Sequence, residues 1–166
     1  MLWGGPNFDK LGRFPHPGVK FIDFSPNENY IVTSNWQEKR NPDDPEAVIV
    51  WDILTQKKLR GYDLGSMPKW EDNRQMAASW PVFRWSHDDK YIARLGKDKE
   101  GVDAISVYQV PDMGLLDKKS IKVPGVRDVQ WSPTANTLSY WVPERDNVPA
   151  HVSALFIPRC HACCGC

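Results

Sequence analysis

Three stretches of this chain share one construction: an aromatic residue, a serine, a short polar turn, and a strand-forming run. They are Phe24-Ser25-Pro26-Asn27-Glu28-Asn29-Tyr30, Trp85-Ser86-His87-Asp88-Asp89-Lys90-Tyr91 and Trp131-Ser132-Pro133-Thr134-Ala135-Asn136-Thr137. Each copy reads as the tight turn of a hairpin between two short apolar strands, and a third strand follows at nearly constant distance. From Phe24 to Trp51 the separation is 27 residues, from Trp85 to Tyr108 it is 23, and from Trp131 to Leu155 it is 24. One such spacing says little, but three near-equal ones mark a repeat. Repetition of antiparallel modules at this length predicts an all-β fold of the β-propeller type, built from four-stranded blades.

The first module is expected to run as Phe21–Phe24, Tyr30–Thr33, Val48–Ile53 and a weaker Lys58–Tyr62. The second repeats the order as Val82–Trp85, Tyr91–Leu95, Ala104–Val110 and Ser120–Val123, and the third as Val126–Trp131, Thr137–Val142 and Val152–Ile157 with no fourth strand. Their β-branched and aromatic content, broken by Pro, Asn, Asp and Gly, favours hairpins over helices. Upstream, Leu11–Phe14 fits the last strand of a preceding blade. The chain therefore divides into the end of a preceding blade and an inward-leading segment (1–20), a first blade (21–62), a connecting loop (63–81), a second blade (82–123), an incomplete third blade (126–158) and a Cys-rich tail (159–166). Three modules and one leading strand do not close a ring, so a partial propeller, a portion of a larger one, is expected.

Two connections interrupt the regularity: residues 35–47 and residues 63–81, both long and polar. Long loops on a rigid scaffold are where partner specificity is placed. Lysine plus arginine and aspartate plus glutamate both number 21, so no strongly basic field announces nucleic acid and none announces an acidic membrane surface. Eight tryptophans supply blade packing and, where exposed, anchors for a protein partner. No secretory signal and no apolar run of membrane-spanning length is present, and all four cysteines sit at 160, 163, 164 and 166, leaving the body without a possible disulfide. A reducing, cytoplasmic location is expected.

Catalytic chemistry finds little support. Asp23, Asp52 and Asp128 are the most tempting acids, yet they read as structural carboxylates that satisfy turns and polar groups near a central channel. His16, His87 and His151 occupy unrelated positions, and the repeated serines suit turns rather than nucleophiles. There is no nucleophile elbow, phosphate-binding loop, dinucleotide fingerprint or H-E-x-x-H pattern, so no enzyme activity and no cofactor are expected. The tail Cys160-His161-Ala162-Cys163-Cys164-Gly165-Cys166 holds zinc-type ligands but lacks the separated pairs of a structural zinc module. Three basic groupings, Lys39-Arg40, Lys57-Lys58 with Arg60, and Lys118-Lys119 with Lys122, read either as solvated edges or as phosphate contacts. The residues expected to meet a protein or RNA partner are Lys39, Arg40, Trp70, Lys118 and Lys119.

Trp51-Asp52, closing a third strand, resembles the dipeptide that names the WD40 repeat, although the second and third modules carry Tyr108-Gln109 and Leu155-Phe156 instead. The wider sequence is more specific. Trp3-Gly4-Gly5-Pro6, Arg13-Phe14-Pro15-His16-Pro17-Gly18-Val19, the first serine turn, Ile49-Val50-Trp51-Asp52-Ile53 and the second serine turn all resemble the WD40-like propeller of the B-subunit family of eukaryotic translation initiation factor 3. So do Ile105-Ser106-Val107-Tyr108, Pro111-Asp112-Met113-Gly114-Leu115-Leu116-Asp117-Lys118-Lys119-Ser120 and Tyr140-Trp141-Val142-Pro143-Glu144. The run from Met113 to Lys119 favours this family over initiation factor 2A, another WD-repeat scaffold. The resemblance spans roughly residues 2–158 and implies a noncatalytic scaffold that joins initiation-factor subunits to the small ribosomal subunit, with ribosomal or messenger RNA as a possible direct partner. The Cys-rich end after Arg159 departs from the family.

Overall fold

The computed structural model describes residues 1–64, 80–145 and 148–157. Among the described residues the regular structure is β, apart from the short 3-10 turn Leu116–Lys118 and a 3-10 residue at Leu64. Fourteen strands are present among the described residues: β1 (Leu2–Gly4), β2 (Asp9–Gly12), β3 (Phe21–Phe24), β4 (Tyr30–Ser34), β5 (Val48–Asp52), β6 (Lys58–Tyr62), β7 (Phe83–Trp85), β8 (Tyr91–Lys97), β9 (Asp103–Gln109), β10 (Gly114–Leu115), β11 (Ile121–Lys122), β12 (Asp128–Trp131), β13 (Thr137–Val142) and β14 (His151–Phe156). All pairings are antiparallel. They make a hairpin β1-β2, a first sheet β3-β4-β5-β6, a second sheet β7-β8-β9 whose outer edge is shared by β10 and β11, and a third sheet β12-β13-β14. Among the described residues no sheet closes on itself into a barrel.

Strand order thus follows the repeat read from the sequence, with local differences. The leading strand lies at Asp9–Gly12 rather than Leu11–Phe14, because Phe14 turns in to pack on Trp51 at 5.8 Å. The outer strand of the second sheet is not the single run Ser120–Val123. It is split, β10 pairing with the end of β9 and β11 with its beginning, around a bulge in which Asp117 and Lys118 both have left-handed φ, 53° and 56°. A bulge of this kind twists an edge away from further pairing.

Strand alternation gives each sheet two faces, and these decide where the core lies. One buried cluster joins Val32, Val48, Val50 and Tyr62 of the first sheet to Phe83, Trp85, Ile92 and Tyr108 of the second. Another joins Tyr91, Ala93, Ile105 and Val107 on the opposite face of the second sheet to Val129, Leu138 and Val142 of the third. A smaller one covers the other face of the first sheet, where Ile31, Ile49 and Trp51 meet Phe14. The sheets are therefore stacked face to face in chain order. At about 25 cal/mol per Å² of apolar surface, these side chains supply the main stabilisation, since the second sheet is buried on both faces.

Candidate functional site

The repeated serine turn builds the junction between neighbouring sheets. In the first turn Ser25 N–H donates to Tyr30 C=O at 3.0 Å, and Ser25 Oγ accepts from Tyr30 N–H at 3.1 Å. Ser86 and Tyr91 repeat both bonds at 2.9 Å, and Ser132 N–H reaches Thr137 C=O at 2.8 Å. The hydroxyl therefore pins the hairpin while keeping its own hydrogen to donate elsewhere. In the first turn that hydrogen goes to Asp89 Oδ2 at 2.7 Å. The Asp89 carboxylate also accepts from Asn29 Nδ2 at 3.0 Å and, with both oxygens, from Asn27 N–H at 3.2 Å. Asn27 Nδ2 then donates to His87 C=O at 2.9 Å.

Asp89 is buried, and it holds the first turn to the second across 64 residues of sequence. An aromatic step accompanies the clasp: Tyr30 stacks on Trp85 at 5.5 Å and 5°, and Tyr91 stacks on Trp131 at 6.0 Å and 16°. Trp131 Nε1–H further donates to Arg84 C=O at 2.8 Å. Between the second and third sheets the carboxylate is missing, because the position of Asp89 is taken by Ala135; Ser86 Oγ turns to Asp88 of its own turn at 2.9 Å.

A second polar cluster lies on the other face of the first sheet. Trp51 Nε1–H donates to Thr33 Oγ1 at 2.8 Å, and Thr33 Oγ1 lies 2.7 Å from His16 Nδ1. The threonine hydroxyl accepts from the indole and forms its second bond with His16 Nδ1, leaving Nε2 as the other ring nitrogen. That Nε2 is buried and makes no hydrogen bond. Burial pushes the His16 imidazole below its ordinary range, offset in part by the Glu46 backbone and side chain. In the Trp51-Asp52 pair the ring is buried against Phe14, and Asp52 Oδ1 accepts from Thr55 N–H at 2.7 Å to close the β5–β6 turn.

The two inner-strand acids flank one guanidinium. Arg84 donates to Pro81 C=O and lies 3.6 Å from Asp128 Oδ1. Burial raises the Asp23 carboxyl to about 6, against the opposing pull of Arg84. Between the first and second sheets, the Arg60 guanidinium sits 5.2 Å from the Tyr62 ring centre and 4.9 Å from that of Tyr108, and donates to Met113 C=O at 2.8 Å. Desolvation, together with the Tyr108 hydroxyl, raises the Tyr62 phenol well above the ordinary tyrosine range. These groups are structural cross-braces rather than a converging reactive set, and among the described residues no group of three His, Cys, Asp or Glu side chains is placed to hold a metal. The Cys-rich tail lies outside the described residues.

The predicted partner contacts do not form one site. Lys39 and Arg40 lie on the β4–β5 loop, at the end of the first sheet away from the serine turns. This loop is ordered at its base by Ser34 Oγ–H to Ala47 C=O at 2.8 Å and at its tip by Asp44, whose Oδ2 accepts from Asn41 N–H at 2.8 Å and Arg40 N–H at 2.9 Å. Those amides hold the Asp44 carboxyl below its usual range. Lys39 and Arg40 line an open cleft of about 440 Å³ with Asp63 and Leu64. Lys118 and Lys119 lie instead on the exposed bulge at the outer edge of the second sheet. Neither pair forms an ion pair among the described residues, whereas Lys58 is bound to Glu46 at 2.9 Å and Lys122 to Asp98 and Glu100 at 3.0 and 2.7 Å. Trp70 lies outside the described residues. Asp89 is the functional group that sequence reasoning missed; aligning the turns would have shown an acid at the fifth position of the second copy and none in the third.

No helix among the described residues is long and apolar enough to cross a membrane. No protein-family model matches the chain. A solved structure described as the crystal structure of the eukaryotic initiation factor superposes with a TM-score of 0.67 over 89% of this chain and 33% of that one, at 21% identity, a likeness of fold alone. Sequence relatives go further. Over 95% of its length the chain is 43% identical to the B subunit of eukaryotic translation initiation factor 3 of Xenopus laevis, 46% identical to that of Bombyx mori and 40% identical to that of Drosophila melanogaster. It spans about 20% of the length of each. The chain is thus strongly homologous to one segment, a fifth in length, of the B subunit of eukaryotic translation initiation factor 3.

Proposed function

We propose that this chain is a noncatalytic scaffold segment of a translation-initiation factor in the cytoplasm, organising other subunits of eukaryotic translation initiation factor 3 on the small ribosomal subunit. The observation that carries the reading is the sequence identity of 40–46% over nearly the whole chain to the B subunit from frog and insects. In this reading residues 21–62, 82–123 and 126–158 are consecutive blades of a WD40-like propeller, with residues 1–20 ending a preceding one. The repeated junction of serine turn and aromatic stack supports it, because sheets fastened in this way form a rigid body that can hold partners at fixed separation.

Lys39, Arg40, Lys118 and Lys119 are the contact residues proposed within it, with Trp70 as an aromatic anchor. Their ammonium and guanidinium groups form no ion pair among the described residues, which leaves them free to meet acidic side chains or phosphate. Affinity purification and cross-linking of the full-length parent test the scaffold role. Copurification of initiation-factor subunits and small ribosomal subunits is expected, and absence of both overturns it. Charge reversal at Lys118 and Lys119 is expected to weaken the association without altering stability. A salt-insensitive association unaffected by that reversal removes these two lysines from the interface.

A further inference from the structure

The second sheet packs with one face on the first sheet and with the other on the third, and residues 114–122 run along its outer edge. Only the ends of that segment pair with β9: Gly114 and Leu115 with Gln109 and Tyr108, and Ile121 and Lys122 with Ile105 and Ala104. Between them Lys119 N–H closes a turn on Leu116 C=O at 3.4 Å, with the left-handed Asp117 and Lys118 at its centre. Two successive left-handed residues are the pattern of a type I′ turn, which favours Asn and Gly. Asp and Lys fill it at a steric cost. A strained turn held by two residue pairs on either side is the kind of segment that opens locally while the rest of the fold stays intact. Ser120 follows directly. Its side chain is half-buried, and its Oγ lies 2.8 Å from Oγ of the buried Ser106.

The residues around this hydroxyl carry a second signal. Lys118 stands two positions before Ser120 and Lys122 two positions after it, with Lys119 and the apolar Ile121 as immediate neighbours. A serine bracketed by lysines is what the acidic substrate groove of a basophilic protein kinase selects by charge. Lys118 and Lys119 are exposed, and Lys122 is held at the surface by Asp98 and Glu100 at 3.0 and 2.7 Å. Other hydroxyls lack one half of this combination. Ser25 and Ser86 are 1% and 0% exposed, and Thr55 has Lys57 and Lys58 on one side only.

We propose that Ser120 is a phosphorylation site for a basophilic serine kinase, and that its phosphate reverses the charge of the Lys118–Lys119 tip. In the transfer Ser120 Oγ attacks the γ-phosphorus of ATP and forms the new O–P bond. The bond from that phosphorus to the bridging β-phosphate oxygen breaks, ADP leaves, and the hydroxyl proton passes to the kinase's carboxylate base. Asp117, Lys118 and Lys119 together carry one net positive charge, and a phosphoserine adds about −1.5 to −2 at neutral pH. The tip therefore becomes net negative and repels the acidic or phosphate groups that it attracts when unmodified. That switch rests on the reading of Lys118 and Lys119 as partner contacts, whereas the assignment of Ser120 as the acceptor does not.

Incubating the full-length parent with magnesium, ATP and a serine kinase chosen for lysine two residues before and two after the acceptor tests the assignment, with mass spectrometry to locate the phosphate. Modification of Ser120 is expected. Lys118→Ala and Lys122→Ala should each slow it about tenfold, the loss of one charged contact with the kinase. Ser106→Ala, which frees the Ser120 hydroxyl from its partner, should speed it severalfold; a serine with a purely structural role shows no such response. No phosphate on Ser120 of the folded parent overturns the proposal, whether or not a peptide of residues 114–124 is modified alongside, as does incorporation that neither lysine change slows. The phosphorylated parent should then hold initiation-factor and small ribosomal subunits more weakly, as charge reversal at Lys118 and Lys119 does. If the reversal weakens association and phosphorylation leaves it unchanged, the switch is refuted. If neither alters it, the two lysines are not contacts, and phosphate on Ser120 still upholds the acceptor assignment.

Discussion

Replacing Asp89 by alanine is expected to unfasten the first sheet from the second. The carboxylate is 3% exposed and accepts from Ser25 Oγ, Asn29 Nδ2 and Asn27 N–H. Truncation leaves the Ser25 hydroxyl, 1% exposed, without an acceptor, at about 1–3 kcal/mol for a buried donor. Asn27 and Asn29 are exposed and recover water, so each adds only a few tenths to about 1 kcal/mol. The sum is about 2–5 kcal/mol, a large part of the stability of an ordinary domain. Equilibrium urea unfolding followed by tryptophan fluorescence measures it, the signal summing all eight tryptophans, with Trp85 at the junction among them. Ser25→Ala in the same background supplies the control: it removes the orphaned hydroxyl, so the double variant should cost about 1–2 kcal/mol less than the sum of the singles. Asp89→Asn, which keeps one acceptor oxygen and turns an amide toward the donors, should fall between wild type and alanine. A cost below about 0.5 kcal/mol for Asp89→Ala, the range of an ordinary surface change, or additivity with Ser25→Ala, would refute the clasp.

Titration gives two further expectations of opposite sign. The folded pKa of His16 is depressed, so its contribution to stability is present above the unfolded value near 6.5 and is lost as pH falls through the folded one; unfolding free energies from pH 8 to 5 should show the decline, and His16→Gln should flatten it. The folded pKa of Asp23 is raised from 3.8 to about 6, so its contribution is complete below 3.8 and disappears as pH rises through 6. Asp23→Asn should therefore stabilise the chain at pH 8 by about 1–2 kcal/mol, after discounting the shift for partial solvation, and a destabilised variant there would contradict the assignment. Trp51→Phe keeps the packing on Phe14 but removes the indole donor to Thr33, and about 1 kcal/mol should be lost in chemical denaturation. Arg60→Ala loses contacts with Tyr62, Tyr108 and Met113 and should cost about 1–2 kcal/mol, with lysine restoring little because an ammonium cannot stack as a guanidinium does.

Local chemistry made the strands and turns legible. The β-branched and aromatic content of runs such as Val48–Ile53 and Thr137–Val142, and the serine-pinned polar turns beside such runs, act through neighbours within a few residues, so the order of strands and the reading of Ser25 and Ser86 as turn residues come from the residue order directly. The same locality explains the errors. Phe14 reads as part of a strand because its neighbours are strand-like, whereas its ring is drawn onto Trp51 from another sheet. The run Gly114–Lys122 reads as loop followed by strand, and only its pairing with β9 reveals a single edge broken by a bulge.

Electrostatic roles were less accessible still, because they depend on which charges meet across sheets. Lys58 and Lys122 read as members of basic groupings, but Glu46 and the Asp98/Glu100 pair neutralise them, while Lys39, Arg40, Lys118 and Lys119 are left on two separate surfaces. The amino-acid order by itself determined a repeating all-β chain, the identity of its turns and its homology to an initiation-factor subunit. Tertiary structure alone decided that the fifth residue of one turn, Asp89, becomes a buried clasp on the turn before it. The same position in the first copy, Glu28, is exposed. The physical reason is that a hairpin is specified by neighbours in sequence, whereas a buried carboxylate acquires its role only from donors brought to it by stacking.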